Sequence, residues 1–439
     1  MTSSPLETRV ISKVTRRLIP FMILLYLVNY IDRVNIGVAK LQMNRDLNFD
    51  DSVYAFGVSI FFIGYCLCEV PSNLIMERVG ARLWIARIMI SWGAVTTAMM
   101  FIRGPYSFYG LRLLLGVTEA GFFPGMILYL TYWIPARERA RAIAMFMTSI
   151  ALAGVIGNPL AGFILKLSGA AGLAGWQWIF LLEGTTTILL GIAILFYLTD
   201  RPEQAHWLES EERNWLIERL RQEEAPAHSH DYSQLRRAFA DRKVWLLIFT
   251  YSSVAFSSYG LIYWMPTIIK KSASIDSPAG LSDLNVSLLS AIPFLAAAIG
   301  MVLFGRSADK SGNHSKHVAV GAFLGSAGML LACCFTSFST SLTVAALAMA
   351  ATGIYGTLGP FWALPPSFLS GTSAAAGIAL INTVASCVGG FLGPNIMGKS
   401  AKETQSYALG LGIYAAALFA GGCVTLTLRR VSGQRPTSE

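Results

Sequence analysis

Asn73-Leu74-Ile75-Met76-Glu77-Arg78-Val79-Gly80-Ala81-Arg82 comes back as Gly305-Arg306-Ser307-Ala308-Asp309-Lys310-Ser311-Gly312-Asn313-His314, an offset of 232 residues from Glu77 to Asp309. Each copy has an acid, then a base, then a glycine three residues after the acid. Each also stands between two long apolar runs, Val53–Ile75 and Leu83–Ile102 around the first, Leu284–Phe304 and Val318–Phe335 around the second. A second pair supports the first. Gly154, Gly157-Asn158-Pro159 and Gly162 match Gly390, Gly393-Pro394 and Gly398, at an offset of 236 from Gly157 to Gly393. Glycine lets two helices approach closely, so packing alone accounts for either pattern. Recurrence of both at nearly equal spacing points instead to an internal repeat of two related halves.

The runs around these signatures extend along the whole chain. About 20 apolar residues span the hydrocarbon of a bilayer as a helix. Twelve such runs can be drawn, from Leu18–Leu41 to Tyr407–Leu428, with Ser107–Ile134 as the fourth and Ala142–Leu167 as the fifth. Only 13% of the residues are charged and 54% are hydrophobic, against about 25% charged in soluble domains. A soluble enzyme is a poor reading, and the expected fold is an all-α membrane protein of 12 transmembrane helices in two pseudo-symmetric six-helix bundles. Residues 1–198 form the N-terminal half, 199–243 a cytoplasmic linker with a short helix, and 244–439 the C-terminal half.

The net charge of +9 reflects topology and not nucleic acid, since no basic tract interleaves with aromatics. With the N-terminus inside, Lys and Arg divide 23 to 8 between inner and outer loops and the span ends that border them. Both termini are then cytoplasmic, and the first run is too long for a cleaved signal core. In the linker, Ser210 followed by Glu211 and Glu212 reads as a helix start, with Trp215, Leu216 and Leu220 available to lie against the membrane. The six cysteines, Cys66, Cys68, Cys333, Cys334, Cys387 and Cys423, all fall in apolar runs and read as small packing residues. None has metal-ligand spacing with a histidine, so no metal and no cofactor is expected.

Charges inside the spans are the functional candidates, because even low estimates put one at the bilayer centre at about 2.5–3.5 kcal/mol. Asp32 and Arg33 interrupt the first span. As neighbours they point ~100° apart and need different partners. Arg112 and Glu119 lie two turns apart on one face of the fourth span. Glu119, the deeper of the two, reads as a proton or substrate group, while Arg112 reads equally as structural. Glu69 beside Pro71 and Glu183 in the sixth span read more readily as capping or gating groups, and Arg87 as a snorkelling charge. His206, His228, His230, His314 and His317 lie in loops or at a span end. Coupled protons would therefore sit on carboxylates.

At these residues the chain resembles the major facilitator superfamily and, within it, the anion:cation symporter branch, over nearly its whole length. Tyr30-Ile31-Asp32-Arg33-Val34-Asn35, the Arg112 to Ala120 segment and Gly175-Trp176-Gln177-Trp178-Ile179-Phe180-Leu181-Leu182-Glu183-Gly184 carry the likeness. Tyr197-Leu198-Thr199-Asp200-Arg201-Pro202 and Gly359-Pro360-Phe361-Trp362-Ala363-Leu364-Pro365 add to it, and the last three segments look like bacterial tartrate and related carboxylate carriers. Asn73 and Glu77 depart from the superfamily signature, where glycine and aspartate are usual. The resemblance implies that Asp32 and Glu119 couple protons and that Arg33 meets the substrate carboxylate. It also implies that Tyr65, Asn382 and Trp362 line the cavity. A glutamine of the sugar-acid carriers is replaced near Ile150, which argues against a polyhydroxylated six-carbon acid.

From the residues themselves, Arg suits a carboxylate because its planar fork bonds both oxygens. Tyr30, Tyr259, Tyr263, Trp264 and Tyr355 are further lining candidates. Glu77, Arg78, Arg82, Asp309 and Lys310 are expected to latch helix ends, and Gly157, Pro159, Gly393 and Pro394 to permit movement. The expected activity is proton-coupled uptake of a small organic carboxylate, tartrate-like dicarboxylates before aromatic monocarboxylates, by a monomer in a bacterial inner membrane. An anion exchanger is the alternative among carriers. A membrane enzyme lacks a metal cluster or Ser/His/Asp set in any span, and a sensor lacks an output domain, since the linker is short.

Overall fold

A backbone crossing hydrocarbon must bond its own polar groups, and a chain without alternating strand patterns does so as helices. The computed structural model describes residues 5–224, 241–276, 279–365 and 372–431. In order these form α1 (Pro5–Asp46), α2 (Asp51–Val79), α3 (Ala81–Ala98), α4 (Pro105–Glu119), α5 (Phe122–Thr131), α6 (Ala136–Met147), α7 (Ser149–Leu165), α8 (Gly175–Tyr197) and α9 (Ser210–Glu224). Then come α10 (Arg242–Asp276), α11 (Asp283–Ser311), α12 (His314–Phe335), α13 (Thr340–Gly356), α14 (Leu358–Trp362), α15 (Thr372–Thr404) and α16 (Ala408–Val431). Among the described residues, 11 helical stretches are long and apolar enough to cross a membrane. The 42-residue α1 is a further long helix, carrying Asp32, Arg33 and Lys40 along its length.

Local chemistry explains the ends that matter. Asp50 caps α2 by accepting from the Val53 amide at 2.8 Å, and Ser282 accepts from Asn285 at 3.2 Å to cap α11. The repeated glycine of the opening signatures is a helix stop in both copies. Gly80 follows α2 at φ +99°, and Gly312 follows α11 at φ +64°. Only glycine takes such angles without a steric penalty.

The second glycine pattern lines the seams between the two halves. A Cβ at Gly154 or Gly162 of α7 would strike Phe294 or Ser287 of α11, at 2.1 and 2.6 Å. On the other side, a Cβ at Gly390 or Gly398 of α15 would strike Phe62 or Ala55 of α2, at 2.2 and 2.3 Å. The middle glycines face inward within their own halves. Gly157 lies against Asn35 and Ile31 of α1, and Gly393 against the Phe256 carbonyl of α10. Pro159 and Pro394 sit inside α7 and α15.

Polar contacts between the halves are unevenly distributed. At the face away from the termini, Lys402 bonds Asp50 at 3.1 Å, Tyr407 bonds Asp51 at 2.8 Å and Gln42 bonds Asp283 at 3.2 Å. Tyr54 donates to the Tyr263 carbonyl at 3.2 Å. At mid-depth, Thr383 donates to Glu69 at 3.1 Å. Among the described residues, no hydrogen bond or ion pair joins the halves closer to the face that carries the termini.

Several sequence expectations change. The fourth run is broken at Ala120–Gly121 between α4 and α5, and the fifth is divided at Thr148 between α6 and α7. Of the expected latches, Arg82 finds Asp200: its amide donates at 2.8 Å and its guanidinium lies 3.8 Å away. Glu77, Arg78, Asp309 and Lys310 are exposed and form no ion pair among the described residues. The linker helix α9 docks on protein. Leu216 is buried, and Glu212 bonds Lys13 at 2.7 Å and Arg9 at 3.1 Å. Cys66 of α2 and Cys387 of α15 are joined as a disulfide across the halves, which their long sequence separation concealed. His228 and His230 lie outside the described residues.

Candidate functional site

One face of α1 begins the site. Tyr26, Asn29, Tyr30 and Arg33 follow at i, i+3, i+4 and i+7, the spacing that puts side chains on one helical stripe. All four line a cavity between the halves. The facing wall comes from α10, α13, α14 and α15 through Tyr251, Ser258, Tyr259, Tyr355, Trp362 and Asn382. Tyr65 and Phe62 of α2 and Ile150 of α7 complete it.

Glu119 is the last residue of α4, and the break after it is specific. Gly121 has φ +86°, and a Cβ there would lie 2.3 Å from Ser72 Oγ of α2. A side chain at Gly121 would fit neither the angle nor the gap. The break leaves Glu119 at a helix C-terminus, where unpaired carbonyls favour a nearby cation. That cation is Arg33. Its Nη2 and Nε lie 2.5 and 3.0 Å from Glu119 Oε1, and Asn29 donates to the same oxygen at 2.8 Å. Among the described residues, Glu119 Oε2 has no hydrogen-bond partner. The guanidinium is also ringed by Tyr30, Phe61 and Tyr65, each 5.4–5.5 Å from ring centre to Cζ. Among the described residues, Arg33 is the cation that lines the cavity.

Asp32 does not join this wall. One residue from Arg33, it turns into the first half, where Trp92 Nε1 and Thr96 Oγ1 of α3 donate to its Oδ2 at 2.6 and 3.2 Å. Arg112 is buried and bonded to backbone carbonyls of α2, Gly57 at 3.3 Å and Val58 at 3.4 Å. That is a packing arrangement. Tyr263 and Trp264 also leave the cavity, the latter to stand 3.6 Å from the Lys40 ammonium. Arg87 covers the Trp84 ring at 3.8 Å.

The structure therefore brings Tyr30, Arg33, Tyr65, Glu119, Tyr259, Tyr355, Trp362 and Asn382 together. Sequence reading missed Tyr26 and Asn29, although their helical spacing from Arg33 would have found them. It also missed Tyr251 and Ser258, which no spacing connects to the first half. Among the described residues, the second half brings no charge to this cavity; its contribution is aromatic and hydroxyl surface with the Asn382 amide.

Comparison with known proteins places this arrangement. The model of the Major Facilitator Superfamily matches residues 22–394. A protein of Agrobacterium vitis named "Putative tartrate transporter" is 46% identical over 430 residues, 98% of this chain and 97% of its own. The "Quinolone resistance transporter" of Acinetobacter baumannii is 42% identical over 92% of this chain and 91% of its own. A bacterial homologue of the human lysosomal transporter Spinster, solved in an inward-facing and unoccupied conformation, superposes with a TM-score of 0.74 at 19% identity. That match covers 99% of this chain and 100% of the solved one.

Proposed function

The chain belongs to the Major Facilitator Superfamily, and from that premise we propose that it takes up a small organic carboxylate together with protons, a tartrate-like dicarboxylate before other classes. The observation that carries this reading is the Arg33 fork on the cavity wall, occupied by Glu119. A guanidinium bonded to a carboxylate in a low-dielectric site is held strongly. A proton on Glu119, whose Oε2 is without a partner, removes the charge that holds the fork. Arg33 is then available for a substrate carboxylate.

Substrate and protons together leave the cavity with less uncompensated charge than the substrate alone. That lowers the cost of closing it, and the halves rock about their seams. With cytoplasmic termini in a bacterial inner membrane, the polar contacts at the far face support an inward-facing state. The Agrobacterium relative supports the tartrate class through its name and its 46% identity.

A second reading has its own support. Tyr26, Tyr30, Tyr65, Tyr251, Tyr259 and Trp362 give the cavity an aromatic lining, and quinolones, named for the Acinetobacter relative, are aromatic carboxylates. An aromatic monocarboxylate fits the same clamp with stacking in place of hydroxyl contacts. A thermal-shift screen over tartrate, phthalate and nicotinate separates the two, because a bound ligand raises the melting temperature.

Uptake into proteoliposomes under an imposed pH gradient tests the coupling. Glu119→Gln and Asp32→Asn are expected to lose accumulation and keep counterflow exchange, and Arg33→Ala to lose carboxylate binding. Normal accumulation in both acid variants would remove the coupling assignment. Unchanged affinity in Arg33→Ala would move the clamp elsewhere.

A further inference from the structure

Glu183 is 7% exposed and Asp32 8%, both inside the first half and outside the cavity wall. Asn35, one turn along α1 from Asp32, donates to Glu183 of α8, which brings the two carboxyl groups together across α1 and α8. The donors around them are accounted for. Trp92 and Thr96 of α3 serve Asp32 Oδ2, and Asn35 of α1 donates to Glu183 Oε1. Among the described residues, Glu183 Oε2 is left buried with no donor.

The surrounding charges do not balance two carboxylates. On α1, Arg33 is turned to Glu119, and Asn35 is neutral. On α4, Arg112 is close enough to act on Asp32 but bonds backbone carbonyls, while Glu119 adds a like charge. On α3 the facing groups are Trp92 and Thr96, and on α7 Gly157 presents no side chain to Asn35. On α8 itself the neighbouring buried polar residue is Thr187, which is uncharged. Two like carboxylates in contact cannot both ionise in such a site. A proton between them turns a repulsive contact into a hydrogen bond and supplies the missing partner of Oε2.

We infer that Glu183 is a further proton-handling residue of this carrier, sharing one proton with Asp32 in a carboxyl dyad that lies behind the cavity wall, inside the first half. This rests on the proton-coupled reading, and it changes what Asp32 is: half of a pair whose titration belongs to both members. The dyad accepts and releases its proton as a unit, while Glu119 governs the substrate clamp.

Two measurements test it. The first is infrared spectroscopy of the purified wild type, following the C=O stretch of protonated carboxyls with pH. A band present at neutral pH that disappears in both Asp32→Asn and Glu183→Gln is the shared proton. Absence of such a band in the wild type, which needs no variant to fold, overturns the dyad. So does a band that survives Glu183→Gln, since the proton would then belong to Asp32 alone.

The second is accumulation against pH in proteoliposomes. Glu183→Gln is expected to keep counterflow and to move the midpoint of accumulation by on the order of one pH unit, with Glu183→Asp restoring part of the shift. A Glu183→Gln profile identical to wild type refutes the role in transport. A wild type indifferent to the pH gradient refutes proton coupling itself, and the infrared band still decides the dyad.

Discussion

Replacing Trp264 with Leu should open the face of the molecule away from its termini. Lys40 is 3% exposed, and its ammonium lies 2.8 Å from Asp51 and 3.6 Å from the Trp264 ring. Lys40 and Asp51 belong to the first half and Trp264 to the second, so the ring contact joins the halves beside the Tyr407–Asp51 hydrogen bond. A desolvated cation–π contact contributes about 2 kcal/mol, and Leu removes it. At 1.4 kcal/mol per factor of ten, that is roughly a 30-fold change in the ratio of closed to open at this face. By comparison the Lys402–Asp50 pair has side chains 59% and 49% exposed, and an exposed pair contributes only about 0.2–1 kcal/mol.

Spin labels at Arg45→Cys and Glu403→Cys, with the exposed Cys334 and Cys423 replaced by Ala, report the distance across that face. Trp264→Leu is expected to populate a longer distance at the expense of the short one, and Trp264→Phe to fall between it and wild type. An unchanged distribution in Trp264→Leu, alongside a wild type that responds to substrate, would refute the claim that this contact sets the equilibrium.

Three other perturbations follow from the same geometry. Gly398→Leu places a Cβ 2.3 Å from Ala55 and 2.9 Å from the Asp51 carbonyl oxygen, so the seam at α2 cannot close and the same spin-label pair should read longer distances than in wild type. Cys66–Cys387 ties α2 to α15. Uptake by the oxidised protein should therefore rise several-fold on reduction and lose that response in Cys387→Ser, and equal rates with and without reductant would show that the bond leaves the halves free to move. The Glu212 carboxyl, bonded to Lys13, is held below its ordinary range. Its contribution to α9 docking is thus present above the usual carboxylate pKa near ~4.3 and is lost as pH falls through its lowered folded value. Glu212→Gln should show at neutral pH the faster amide exchange in α9 that wild type shows only in acid, and identical exchange in the two would refute the docking role.

Much of the architecture was legible because hydrophobicity and repetition act locally. Twelve apolar runs follow from the order of residues along the chain, and the signatures around Gly80 and Gly312 mark the repeat, whereas the structure adds that both glycines stop a helix at positive φ. The charged residues of the candidate site were also legible. A charge pair in the first span and another in the fourth are costly enough in hydrocarbon to stand out without any contact map. The break after Glu119 was not, since an apolar run reads the same with or without a kink. Only the approach of Ser72 to Gly121 shows why the helix stops there.

Asp32 and Arg33 mark the boundary between the two kinds of knowledge. The sequence by itself determined that both are buried in a span and that, as neighbours on a helix, they face different surroundings. It could not say which surroundings, because side-chain direction depends on how α1 is rotated against α3, α4 and α8. The tertiary structure decided that. It turned Arg33 to Glu119 on the cavity wall and Asp32 to Trp92 and Glu183 inside the half. The physical reason is that burial cost is a property of a residue, while its compensation is a property of the residues that packing brings beside it.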